Sequence, residues 1–332
     1  MSFIARLKRL LGSGTKVGLV LGSGGARGFA HVGVLKVLEQ EGIRLHCIAG
    51  ASAGALIGGL YAAGTTIEAL EELAARFSIT EMAKLFLPTF KRGGLIDGKR
   101  VKKLLEPYVA GRSIEGLSPR FACVATDLYS GERIVFKAGD LLESIRASIS
   151  IPGVFTPAIC GNRILVDGGV SDPLPLGLAF ELGAEFVIAV RVNRQVEKNL
   201  SLPDNTGLAC TSNGSSELKL EKELTEIEDD EGEDWLRNSL RRIVTSYEKA
   251  RDNRRLTPPI LEIILSTISI YERRLSEISI REAGDLMVVK PALAGIEILD
   301  FHKGRQAIAA GEAAMRALLP GISFAARRPK GV

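Results

Sequence analysis

Short runs of consecutive apolar residues alternate along the chain with stretches in which apolar residues recur every three or four positions. The first run, Val17–Leu21, predicts a buried strand, and residues 29–41 behind it have the apolar spacing of a helix. A second run at 45–49 predicts another buried strand, followed by a helix of small residues at 55–63. We therefore expect strand, loop, helix, strand, turn and helix in this part of the chain.

The same alternation continues towards the C-terminus. It predicts strands at 121–127, 133–136, 163–167, 186–192 and 286–289, helices at 67–77, 95–107, 141–148, 176–182, 260–286 and 304–319, and a helical or lid-like segment at 83–90. Strands that alternate with helices favour an α/β fold with a mainly parallel central sheet and helices on both faces. In the long helix at 260–286 we expect an apolar face that includes Ile263, Tyr271 and Ile278 to pack on the sheet.

The pentapeptide GASAG, from Gly50 to Gly54, has the pattern G-x-S-x-G at the junction of the second predicted strand and its helix. A serine at such a sharp turn exposes its hydroxyl at the carboxyl end of the strand, and flanking glycines let the turn close. The helix that begins there points its positive end at developing negative charge. Ser52 is therefore a candidate nucleophile, and a serine that only caps the helix is the alternative.

A glycine-rich loop, from Gly22 to Gly28, follows the first predicted strand. Backbone N–H groups in such a loop can bind an oxyanion without side-chain bulk. Gly24, Gly25 and Arg27 are the candidate oxyanion-hole residues: the two glycines are the best donors by residue type, and Arg27 closes the loop into the next helix. A dinucleotide loop and a Walker loop are weaker interpretations, because the glycine spacing is not G-x-G-x-x-G and no lysine follows in the Walker position.

A carboxylate at the end of another predicted strand is the candidate base. Asp167 ends the run RILVD and precedes Gly168 and Gly169, whereas none of the three histidines follows a strand in a loop. The histidines are His31, His46 and His302. Because an ordinary aspartate is a weak base, Asp167 would need a partly buried site. A turn-forming Asp-Gly pair is the alternative interpretation.

These three motifs, GSGGARG, GASAG and DGG, occur in this order and resemble the patatin-like phospholipase family, in particular its bacterial single-domain members. The approach to the acid at 144–157 adds to the resemblance, which spans about residues 16–193. The resemblance implies a three-layer α/β sandwich and a serine–aspartate dyad without histidine, in which Ser52 attacks and Asp167 is the base. It also implies an oxyanion hole in the glycine loop and lipid ester substrates.

Two residues depart from the usual pattern of that family. Ser23 stands where many relatives have glycine, and Asp172 stands where many have asparagine after the DG turn. Neither residue belongs to the implied dyad, but both could alter the substrate or the rate.

The length and composition predict a folded domain with several appended segments. The chain has 332 residues, of which 46% are hydrophobic and 25% charged. We expect a basic amphipathic segment at 1–14, a catalytic core at 15–194, an acidic insertion at 195–235 without stable structure, helices and a short strand at 236–320 that complete the same domain, and a basic tail at 321–332.

Charge is distributed unevenly along the chain. Residues 201–234 contain eleven acidic residues and two lysines, a net charge of −9 in a chain of net charge +4, so the remainder carries +13. A body this basic favours anionic surfaces. Because no nucleic-acid motif is present and aromatic residues make up only 5% of the chain, a membrane surface is the better partner and nucleic acid is not expected.

The sequence also bears on compartment and cofactors. Residues 1–14 have too short an apolar core for a signal peptide, and the glycine-interrupted run 45–67 predicts a buried strand and helix rather than a membrane span. We expect a cytoplasmic protein, with peripheral association at the inner face of the membrane as a further hypothesis. Cys47, Cys123 and Cys160 predict buried thiols in a reducing compartment. No metal or cofactor is expected.

The combined prediction is a carboxylic ester hydrolase that acts on lipid esters through an acyl-enzyme. A Ser-His-Asp esterase is the rival mechanism. A catalytically weak module with a regulatory or membrane-binding role is the rival class of function. The sequence does not predict an oligomeric state.

Overall fold

Eight strands form one mixed sheet in the computed structural model, which describes residues 14–76, 98–109, 111–193, 260–283 and 286–319. The strands are β1 (Val17–Leu21), β2 (Cys47–Ala51), β3 (Arg120–Asp127), β4 (Arg133–Phe136), β5 (Ala158–Cys160), β6 (Arg163–Asp167), β7 (Phe186–Val190) and β8 (Leu286–Val289). The predictions for 1–13, 83–90, 195–259 and 321–332 lie outside the described residues.

The helices are α1 (Ala30–Gln40), α2 (Ala53–Ala62), α3 (Ile67–Arg76), α4 (Gly98–Val109), α5 (Leu141–Ser148), α6 (Leu176–Glu181), α7 (Ile260–Glu282) and α8 (Gly304–Leu318). Short 3-10 segments lie at Gly25–Phe29, Ile114–Gly116, Gly168–Val170 and Phe301–Lys303.

The strand order is β5-β6-β3-β2-β1-β7-β8, with β4 also paired to β3. Strands β3, β2, β1, β7 and β8 run parallel to one another, whereas β4, β5 and β6 form an antiparallel extension beyond β3. The predicted mainly parallel sheet is confirmed. The three-residue β5 was missed, because so short a strand has no apolar period.

Both faces of the central strands are covered by helices. Every residue of β1, β2 and β7 is buried, as expected for parallel strands packed on both sides. On one face Leu19 and Ile48 belong to a core that includes α1, α2 and α8, and on the other Val20 and Val187 pack with α6. Because β1 and β2 run in the same direction, their carboxyl ends lie at the same edge of the sheet.

The elbow strand lies two residues later than predicted. It covers Cys47–Ala51 instead of 45–49, and α2 begins at Ala53 instead of 55. The difference arises because Gly50 and Ala51 pair with β3 and are as fully buried as the larger residues before them. Ser52 is therefore the single residue between strand and helix.

Helix α7 does not bury the face that apolar spacing indicates. Its buried residues are Leu265, Ser269, Glu272 and Ser276, whereas Ile263, Tyr271 and Ile278 are 44%, 65% and 47% exposed. The buried positions are spaced at helical intervals, and small serines among them permit close approach to the sheet. The predicted packing of Ile263, Tyr271 and Ile278 is therefore wrong.

One of the cysteine predictions is also wrong. Cys47 and Cys123 are buried free thiols, but Cys160 is exposed. It ends the short outermost strand β5, which has a strand on only one side. Burial raises the pKa of the Cys47 thiol to about 11, so this sulfur remains protonated at neutral pH.

Candidate active site

Ser52 occupies a strained turn between β2 and α2. Its backbone has φ 53° and ψ −121°, and within the described part of the chain no other residue except glycine has a positive φ. The turn is closed by Gly54, where a Cβ atom would collide with the backbone oxygen of Leu21. Such strain persists only where the surrounding structure holds it, and it is typical of a nucleophile elbow.

The Ser52 hydroxyl donates a hydrogen bond to Asp167. The distance from Ser52 Oγ to Asp167 Oδ2 is 2.6 Å, and the two residues are 2% and 3% exposed. The other carboxylate oxygen, Oδ1, accepts the N–H of Gly169 at 2.7 Å. The fold thus brings together the serine and the acid that the sequence singles out, with each carboxylate oxygen occupied by one donor.

The last residue of α5 and the segment after it hold both halves of this pair. Ser148 Oγ accepts the N–H of Ser52 at 2.9 Å, and the Ser150 carbonyl accepts the N–H of Asp167 at the same distance. Thr126 Oγ1 donates to the Asp167 carbonyl at 2.8 Å. The backbone on both sides of the Ser52–Asp167 contact is therefore fixed by hydrogen bonds.

Burial raises the pKa of Asp167 to about 8. Desolvation is the largest cause, the negative charge of Glu272 adds to it, and the hydrogen bonds from Ser52 and Gly169 act in the opposite direction. A carboxylate with an ordinary pKa near 4 is a weak base at neutral pH. Asp167 has a proton affinity suited to accept a proton near neutral pH.

The glycine loop lies beside Ser52 with part of its backbone unoccupied. Four of its N–H groups bond to carbonyl oxygens: Gly22 to Val190, Ser23 to Pro173, Ala26 to Ile298 and Arg27 to Gly24, at 3.1, 2.8, 2.9 and 3.3 Å. The N–H groups of Gly24 and Gly25 have no acceptor among the described residues. Gly25 has φ +57°, and a Cβ atom there would collide with the Ile298 carbonyl, so only glycine fits.

Arg27 does not supply a free backbone donor, which corrects the prediction that it belongs to the oxyanion hole. Its N–H is directed at the Gly24 carbonyl. Its side chain is 2% exposed, donates from Nε to the Ile296 carbonyl at 2.8 Å and lies 3.6 Å from Glu297. Arg27 therefore anchors the loop to the segment before α8.

The remaining predicted glycines pack where a side chain has no room. Gly28 lies against Ala53, Gly50 against the backbone of Gly54, and Gly168 against the backbone of β3. Because these glycines have no side chain, the glycine loop, the Ser52 turn and the Asp167 turn can pack closely against the segments beside them.

A cavity of about 680 Å³, its open mouth included, begins at Ser52 and Gly25. Beyond them it is lined by apolar side chains, among them Leu56, Val101, Leu105, Ile151, Phe155 and Phe301. The cavity suits a hydrocarbon chain with its reacting group at the Ser52 end.

The three histidines take no part in the Ser52–Asp167 contact. His31 is buried, donates from Nε2 to the Gly22 carbonyl at 2.8 Å, and has its pKa lowered to about 4 by burial, so it is neutral. His46 lies before β2 near Gly183, and His302 lies in the 3-10 segment before α8.

Sequence reasoning missed three residues around the site: Ser148, Asn193 and Glu272. Ser148 lies in the segment 144–157 of the family resemblance, but nothing in that pattern identified it as the acceptor of the Ser52 N–H. Asn193 and Glu272 belong to no motif. Glu272 lies seven residues after Leu265 and so on the same face of the helix, which could have indicated that it is buried. The isoleucines of the helix indicated a different face.

The described residues lack both a metal-binding cluster and a membrane-spanning helix. The parts of the chain that the structure describes contain no cluster of three or more histidine, cysteine, aspartate or glutamate side chains arranged to hold a metal ion. Among the helices in those same parts, none combines the length and the apolarity needed to cross a bilayer.

Comparison with known proteins shows which protein family part of the chain resembles. Residues 19–180 match the family model described as patatin-like phospholipase. An uncharacterized NTE family protein of Mycobacterium tuberculosis is 38% identical over 181 residues, which are 54% of this chain and 50% of that protein. The chain thus contains a patatin-like phospholipase domain at residues 19–180.

More distant relatives are larger proteins. Human patatin-like phospholipase domain-containing protein 6 is 34% identical over 206 residues, 60% of this chain and 15% of that protein. Lysophospholipase NTE1 of Debaryomyces hansenii is 35% identical over 190 residues, 56% and 12% of the two chains. The chain thus spans half or less of the length of these relatives. The crystal structure of VipD from Legionella pneumophila covers 92% of this chain and 66% of its own, with a TM-score of 0.44 and 12% identity, a likeness too distant to bear on function.

Proposed function

We propose that the protein is a lipid acyl hydrolase that cleaves carboxylic esters through a Ser52–Asp167 dyad and an acyl-enzyme. The observation that carries the proposal is the 2.6 Å hydrogen bond from the Ser52 hydroxyl, on a strained elbow, to a buried carboxylate of raised pKa. The names of the relatives, phospholipase and lysophospholipase, support lipid esters as the substrate class.

In the first half of the reaction, Ser52 Oγ attacks the ester carbonyl carbon while its proton passes to Asp167. The N–H groups of Gly24 and Gly25 donate to the oxyanion that develops on the carbonyl oxygen. When the tetrahedral intermediate collapses, the bond to the leaving alcohol breaks, and that alcohol takes the proton from Asp167. The product of this half is the acyl group bound to Ser52 and a free alcohol.

In the second half, a water molecule gives a proton to Asp167 and attacks the acyl carbon. The bond to Ser52 Oγ breaks, and Ser52 recovers the proton from Asp167, which releases a carboxylic acid. The apolar cavity holds the acyl chain throughout, because its lining beyond Ser52 offers hydrocarbon contacts and not polar ones.

We further propose that the enzyme works in the cytoplasm, in transient contact with an anionic membrane surface. Helix α4 contributes Val101, Leu104 and Leu105 to the cavity and carries Lys102 and Lys103 next to them. Lys102 pairs with Glu143, whereas Lys103 is exposed, so Lys103 is the lysine suited to meet anionic headgroups beside the cavity. Salt-dependent binding to vesicles of anionic lipid tests this part, and equal binding to neutral vesicles contradicts it.

Hydrolysis of a panel of lysophospholipid, phospholipid and short-chain esters by the purified chain tests the reaction. We expect turnover by the wild type and a loss of about 10³-fold or more in Ser52→Ala. Ser130→Ala, in the turn between β3 and β4, is the matched control and should keep wild-type activity. Full activity in Ser52→Ala, or loss of activity on replacement of one histidine with the fold intact, contradicts the dyad. A pure, folded wild type without turnover of any ester supports the non-catalytic module instead.

A further inference from the structure

A second buried carboxylate lies behind the proposed dyad. Glu272, on helix α7, is 3% exposed, and its Oε1 accepts a hydrogen bond from the hydroxyl of Ser23. The side chain of Asn193 also hydrogen-bonds to Glu272 and donates from Nδ2 to the Ser23 carbonyl at 3.2 Å. Three polar side chains from distant parts of the sequence thus meet at the start of the glycine loop.

Glu272 also contacts the turn that holds Asp167. A Cβ atom at Gly169 would collide with Glu272 Oε1 and would meet Ser23 Oγ at 2.5 Å. Gly169 is the residue whose N–H donates to Asp167 Oδ1. The carboxylate of Glu272 therefore lies between the loop that precedes Gly24 and the turn that fixes the base.

Burial of this carboxylate is costly for the fold. A charged group out of water lowers stability unless it is paired and hydrogen-bonded, and an apolar side chain at the same place often serves stability as well or better. The charged groups that face Glu272 are Asp167, which repels it, and Arg27, which attracts it. Arg27 is itself occupied by the Ile296 carbonyl and by Glu297.

We propose that Glu272 is a positioning residue for the reaction: it holds the Ser23–Gly24 backbone in place through the Ser23 hydroxyl, and it places a second carboxylate against the Gly169 turn that fixes Asp167. The proposal rests on the proposed function for its kinetic consequences, but its two parts can be separated by mutation. Ser23 links Glu272 to the glycine loop, whereas the negative charge of Glu272 acts on Asp167 directly.

The direction of the charge effect follows from electrostatics. A negative charge near Asp167 disfavours its ionised form and raises its pKa. In Glu272→Gln the amide can still accept from Ser23, but the charge is gone, so Asp167 should release its proton at lower pH. In Ser23→Ala the Glu272 carboxyl remains and the contact to the loop is lost, and loss of the Ser23 hydrogen bond raises the pKa of Glu272 further above its ordinary value.

The test compares Glu272→Gln, Ser23→Ala and the control Glu277→Gln by pH profiles of kcat/KM. Glu277 is on the same helix and pairs with Arg191 at 3.6 Å, and it is not among the groups that act on Asp167. We expect the acid limb of Glu272→Gln to move down by about one pH unit. Ser23→Ala should lose about tenfold in kcat with a smaller movement of the limb than in Glu272→Gln, and Glu277→Gln should match the wild type. Thermal unfolding checks that each variant is folded.

A second readout does not require activity. Titration of the Asp167 carboxyl by ¹³C NMR, with the resonance assigned from Asp167→Asn, should give a lower pKa in Glu272→Gln than in the wild type. Equal acid limbs and equal Asp167 pKa values in the two proteins overturn the proposal while leaving the hydrolase intact. If the wild type cleaves no ester, the proposed function fails, and the NMR titration alone decides whether Glu272 acts on Asp167.

Discussion

The two ends of the cavity are built in different ways. At the reacting end, Ser52, Asp167 and the glycine loop are held by short hydrogen bonds and by backbone contacts that exclude a side chain. At the far end, the lining consists of ordinary core residues from α2, α4 and the segment after α5. Under the proposed function, the first region sets whether an ester reacts, whereas the second sets which ester fits. Changes in the two regions should therefore have different signatures.

The largest effect is expected from the base. Asp167→Asn should lose about 10³-fold or more in kcat for every ester, because the amide cannot accept the Ser52 proton. The measurement is steady-state kinetics with one short-chain and one long-chain ester. A loss confined to the long-chain ester would mean that Asp167 affects how the substrate fits and not the chemical step.

The same substitution should not lower stability at pH 8. Because the pKa of Asp167 is raised from 3.8 to about 8 in the folded protein, the folded state holds a proton that the unfolded chain releases between these values. Its contribution to stability therefore falls as pH rises from about 4 to about 8. Urea unfolding at pH 5 and pH 8 should show a smaller loss of stability with rising pH in Asp167→Asn than in the wild type. An equal loss in the two proteins would contradict the raised pKa.

The oxyanion loop should give the next largest effect. Gly25→Ala places a Cβ atom against the Ile298 carbonyl and displaces an N–H donor, so we expect about 10²-fold lower kcat for short and long chains alike. Gly131→Ala is the control, since Gly131 also has a positive φ, of 72°, but has open space around it. Equal activity in the two variants would contradict the role of the Gly25 N–H as an oxyanion donor.

A change in the apolar end should separate substrates instead. Leu105→Trp narrows the cavity at helix α4, so kcat/KM for a long-chain ester should fall about tenfold while a short-chain ester is turned over as before. The ratio of the two kcat/KM values is the measurement. A uniform loss for both chain lengths would mean that the two regions are not independent.

The smallest effect is expected at Asp172, which departs from the family pattern. Asp172 pairs with Arg133 at 2.9 Å, and Arg133 is in turn paired with Glu181. Asp172→Asn should change stability by at most about 1 kcal/mol and leave the chain-length preference unaltered. Chemical unfolding and the same pair of esters check both statements, and a changed preference would assign Asp172 to the specificity region.

The residues predicted from sequence are those whose backbone is constrained locally. Ser52, Gly24 and Gly25 could be identified because a sharp turn or a close approach demands a particular residue type. Strands such as Arg163–Asp167 and Leu286–Val289 were predicted with correct bounds because consecutive apolar residues fill them.

The residues that escaped prediction depend on packing between distant segments. Glu272 is buried because α7 turns its serine-bearing face to the sheet, although its isoleucines and tyrosine indicate a different face. Arg27 does not supply the predicted oxyanion-hole donor, because its N–H donates to the Gly24 carbonyl. Residue type alone does not reveal this hydrogen bond of the 3-10 turn. Cys160 is exposed because β5 lies at an edge of the sheet, and edge position is a property of topology.

The central claim is that the Ser52 hydroxyl is activated by Asp167 to form covalent adducts. Intact-protein and peptide mass spectrometry after exposure to a fluorophosphonate tests it most directly. We expect one adduct, on the peptide that contains Ser52, absent in Ser52→Ala and formed much more slowly in Asp167→Asn. An unlabelled wild type with intact fold, or an adduct on any other residue, would contradict the account.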